Sequence, residues 1–61
     1  MHFAGIITRE AEESDLDAIE RVITSPKAGD VVVMEDTTAE YIYDGEEWRE
    51  VGTEGIYLTI A

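Results

Sequence analysis

The chain has no cysteine, and only one of its 61 residues is a histidine. Disulfides, thiolate-bound zinc and a cysteine nucleophile are therefore excluded, and a single imidazole falls short of an ordinary zinc or copper ligand set. Positive charge is almost as scarce. Four Lys and Arg stand against fifteen Asp and Glu, for a net charge of −11. Nucleic-acid phosphates and anionic membrane surfaces are bound through Lys and Arg, so neither is an expected partner. No apolar run approaches the ~20 residues of a membrane span. The opening MHFAGIITRE has no basic stretch before its apolar part, so it does not read as a signal peptide. One proline and five scattered glycines provide neither a linker nor a phosphate-binding loop. With no internal repeat and no low-complexity segment, residues 1–61 are expected to form one small domain. A domain of this size buries only about 60% of the surface its unfolded chain exposes, and without disulfides or metal the remaining staple is a partner subunit.

What is present reads mainly as strand. Residues 2–8, HFAGIIT, are β-branched and aromatic, with Gly5 marking a bulge or a close backbone approach. A helix is predicted over 14–23. Ser14 is its candidate N-cap, Asp17 occupies the capping-box position, and acids crowd its first turn. Leu16, Ile19, Val22 and Ile23 recur as one apolar stripe, and Thr24-Ser25-Pro26 ends the helix. Strands follow at 30–35, 39–44, 47–51 and 56–60. The run 31–34 is apolar on both sides, so both of its faces are expected to be covered. Asp44-Gly45 supplies the turn between the third and fourth strands, with a loop extending to Glu46-Glu47. The expected architecture is mainly β with a minor helical part: a small antiparallel meander or barrel-like module with one short helix in its N-terminal half. In the last strand, Ile56, Leu58 and Ile60 share one face. Such a strand must pair within the chain or with another chain, which makes these three residues candidate interface positions.

The residue types point away from enzymatic chemistry. His2 sits at the end of the chain, and Ser14 and Ser25 read as a helix cap and part of a helix stop. Fifteen carboxylates make close acidic pairs inevitable, so a pair carries no catalytic signal. The acidic stretch DTTAEYIYDGEE lacks the spacing of an EF-hand loop, and no cofactor or metal is implied. The sharpest feature is aromatic: Tyr41, Tyr43 and Trp48 lie on one predicted hairpin, with Tyr57 further on. Aromatic pairs stabilise neighbouring strands and are enriched at protein interfaces. Core, subunit seam and glycan-stacking face are three readings of the same cluster.

The motifs also fall into an ordered series. Phe3, Gly5 and Thr8 are followed by Gly29-Asp30 with the apolar run 31–34. Then come Glu40-Tyr41-Ile42-Tyr43-Asp44-Gly45, next Trp48, Val51 and Gly52, and finally Gly55 before Ile56. This series, spanning nearly the whole chain, resembles a small β module of bacteriophage fibre and head-decoration proteins. The resemblance implies a structural virion protein that assembles with copies of itself, as a homotrimer, and with another virion protein. It carries no catalytic residues. Two further readings stand beside it. One is a glycan- or receptor-binding module using Tyr41, Tyr43 and Trp48; the other is an acidic mimic of nucleic acid that engages a basic host protein.

Overall fold

The computed structural model describes residues 1–51. Its elements run β1 (His2–Ile7), α1 (Asp15–Val22), β2 (Asp30–Met34), β3 (Glu40–Tyr43) and β4 (Trp48–Val51). The four strands form one sheet in the order β1-β2-β3-β4. β2, β3 and β4 are the antiparallel meander, whereas β1 lies parallel to β2. The protein is thus mainly β with one short helix, and its sheet is mixed. A parallel neighbour cannot be reached by a tight turn, and α1 lies within the connection that carries the chain back from β1 to β2.

Each element follows from local chemistry. α1 begins where Ser14 accepts a hydrogen bond from the Asp17 N–H at 3.1 Å, satisfying one of the helix's orphan donors. Asp15 and Asp17 sit in its first turn and Arg21 in its last, in keeping with the helix dipole. In β1, Phe3 stands opposite Val31 and Gly5 opposite Val32, so Ala4 is an extra residue in the ladder. Gly5 takes φ +147° at this bulge, a conformation a residue with a Cβ rarely adopts. The β2–β3 turn closes through Thr38 N–H to Met34 O and Met34 N–H to Ala39 O, both at 2.8 Å.

The core lies between α1 and one face of the sheet. It comprises Ile7, Ala18, Ile19, Val32, Met34, Tyr41 and Trp48, with Ala4, Ile23, Ala39 and Tyr43 packed around it. One expectation is corrected here. Of the predicted apolar stripe, Ile19 is buried and Ile23 packs on the core, but Leu16 and Val22 are 45% and 46% exposed. The helix is only about two turns long, so its middle meets the sheet and its flanks do not. In the run 31–34, the described residues bury one face: Val32 and Met34 are fully buried, while Val31 and Val33 are half-buried. Among the described residues α1 is the only helix, and it occupies one side of the sheet.

Candidate interaction surfaces

The aromatic hairpin is built by register. Tyr43 pairs with Trp48 across β3 and β4, and Tyr41 with Glu50. The Tyr43 and Trp48 rings lie 5.2 Å apart at 57°, a tilted aromatic pair. Asp44 fixes the loop between them. Its Oδ1 accepts the N–H groups of Glu46 and Glu47, both at 2.8 Å, and its Oδ2 meets Arg49 Nε at 2.5 Å. The Glu47 and Glu46 amides, followed by the Arg49 guanidinium, hold the Asp44 carboxyl down at about 2. Gly45 follows with φ +105°.

The hairpin's aromatic side chains close the core. Tyr41 and Trp48 are 8% and 7% exposed, and Tyr43 is half-buried. The Tyr41 hydroxyl donates to Asp15 Oδ2 at 2.5 Å, and burial, with that carboxylate second, raises its pKa far above the ordinary tyrosine value. Arg9 completes the network by meeting Asp15 Oδ1 at 2.5 Å and Asp36 Oδ2 at 3.0 Å. Arg9 thereby joins the strand end, the helix start and the β2–β3 turn. Nothing in the sequence spacing marks Arg9, whose partners stand 6 and 27 residues away.

Beside the aromatic pair, Ile23, Glu20, Tyr43, Glu46, Glu47 and Trp48 line an open cleft of about 380 Å³. At the other end of β1, His2 Nδ1 lies 3.2 Å from Asp30 Oδ1. The Asp30 carboxyl is lowered first by the Lys27 N–H and then by His2. Among the described residues, no three His, Cys, Asp or Glu side chains are placed to hold a metal ion together.

The second surface is the sheet face opposite α1. Strand alternation and register put Phe3 and Ile6 of β1, Val31 and Val33 of β2, Glu40 and Ile42 of β3, and Arg49 and Val51 of β4 on it. Phe3 is 59% and Ile6 62% exposed; the two valines of β2, with Ile42 and Val51, are half-buried. Its only charges in the strands are Glu40 and Arg49. The all-apolar run 31–34 was present in the sequence, but which side the helix takes is a tertiary fact. The four other predicted positions, Tyr57 and the trio Ile56, Leu58 and Ile60, lie outside the described residues.

No protein-family model, no curated protein and no solved structure matches this chain.

Proposed function

We propose that the protein is a structural, self-assembling module of a phage virion, a homotrimer that anchors or decorates by docking to another virion protein. The observation that carries the assembly part is the sheet face opposite α1, which no other described element covers and where six apolar side chains gather on a chain of net charge −11. Apolar surface of this kind on a small acidic protein marks a place for another protein. The virion part is supported by the ordered motif series. Of the three hairpin aromatics, the burial of Trp48 and Tyr41 leaves only Tyr43 to offer a ring face to a sugar, which favours assembly over glycan binding through the hairpin.

The test is light scattering over a dilution series, with circular dichroism on the same samples. The expected result is a mass about three times the 6.8 kDa of the chain, falling only where the β spectrum also changes. A folded monomer at every concentration would overturn the assembly reading. Mass spectrometry of purified particles of the phage that encodes it tests the location: the protein is expected at stoichiometric level, and its absence would remove the virion assignment.

A further inference from the structure

We infer that the sheet face opposite α1, centred on Phe3, Ile6, Val33 and Ile42, is the surface through which copies of this chain pack against one another. The inference rests on the self-assembly proposed above and names its seat.

Charge selects the occupant. The molecule is strongly anionic, so two copies repel wherever their acidic surfaces approach. On this face the strands contribute one acid and one base, Glu40 and Arg49, and are otherwise apolar. It is therefore where like-charged copies meet with the least repulsion. A basic partner would be drawn to the acid-rich helix and loops instead, and a further acidic partner has only one guanidinium to find here.

The two charges also complement each other. Glu40 makes no ion pair among the described residues and is half-buried between its neighbours Val33 and Val51. Covering it with apolar surface alone would strand a carboxylate. Arg49 uses Nε for Asp44 and Nη2 for Glu47, at 2.5 and 3.0 Å. Its Nη1 has no partner among the described residues and is available to Glu40 of a neighbouring copy. Each copy thus brings to the face both the group that needs a partner and the group that can supply one.

The test compares the wild type with F3T/I6T, which keeps β-branched residues in β1, and with L16T on the exposed flank of α1. The inference expects F3T/I6T to be a folded monomer by light scattering and circular dichroism while wild type and L16T assemble alike. A folded F3T/I6T that assembles as tightly as wild type overturns the assignment of this face and leaves self-assembly standing. A monomeric wild type overturns both.

Should F3T/I6T fail to fold, single-cysteine variants decide, since the chain has no thiol of its own. Ile6 is 62% exposed and Leu16 45%, so labelling at position 6 that speeds up on dilution to monomer, while that at position 16 does not, reports a cover lost on dissociation. Maleimide labelling of I6C is expected to run about tenfold slower than that of L16C in the assembled protein, with the difference vanishing on dilution to monomer. Equal rates in the assembly overturn the inference. Slow labelling of I6C that persists unchanged in the monomer also overturns it, because no neighbouring copy would then account for it.

Discussion

Asp44 and Tyr41 show how single side chains organise this hairpin from opposite ends of the pH scale. Asp44 is held down to about 2 by two loop amides and Arg49. Its folded value lies below its unfolded one, so the stability it contributes is present above the ordinary carboxylate range. That contribution is lost as pH falls from about 4 toward about 2. D44A should therefore lower Tm at pH 7 and flatten the acid limb of the Tm–pH curve across that window. D44N keeps an acceptor for the loop amides and should fall between the two. Tyr41 is raised, so the sign reverses: its contribution is present below the unfolded tyrosine value and is lost as pH rises beyond it. An absorbance titration at alkaline pH should show one tyrosine that ionises only as the protein unfolds, and Y41F should remove that step. Y41F deletes a single hydrogen bond, and Asp15 keeps Arg9, so its effect on urea stability should be about 1 kcal/mol.

At the level of elements, the helix depends on its cap and on one buried contact. S14A removes the acceptor for the Asp17 amide and should destabilise by about 1 kcal/mol. I19A empties a fully buried site among Ile7, Val32 and Met34 and should cost about 2–5 kcal/mol in urea unfolding, by comparison with similar core truncations. These elements were legible because each carries a short-range signal. Ser14 precedes an acidic first turn, Gly5 interrupts a β-branched run, and Asp44-Gly45 sits between two aromatic runs. The direction of β1 was not legible. The sequence of a strand reads the same whether its neighbour runs with it or against it, and only the path of α1 decides. For the same reason Leu16 and Val22 looked like core: periodicity marks an apolar stripe, but not how much of a two-turn helix reaches the sheet. Of the candidate site, the aromatic hairpin could be read from spacing, whereas its burial and the Arg9 network could not. Both depend on which sheet face α1 covers.

For the whole molecule, charge and apolar surface oppose each other. Self-repulsion at a net charge of −11 should weaken assembly at low ionic strength. Raising salt from about 0.05 to about 0.5 M should then shift the light-scattering midpoint to lower protein concentration. Dissociation on adding salt would mean that ion pairs such as Glu40 with Arg49, rather than apolar contact, hold the copies together. The parallel placement of β1 has a consequence for how the chain is made. During synthesis β1 emerges before β2, β3 and β4, yet its partner among the described strands begins at Asp30. The meander of β2, β3 and β4 closes through short turns and can form as soon as its residues are free, whereas β1 must await a loop spanning the whole of α1. Of the four described strands, β1 is therefore made before the meander and placed after it. Until β1 is placed, Ile7 is missing from the core and one edge of β2 is open. A nascent chain is most prone to capture a neighbour's β1 in that interval. Destabilising substitutions in β1 should accordingly speed unfolding and leave the folding rate nearly unchanged, whereas those at the β3–β4 hairpin should slow folding.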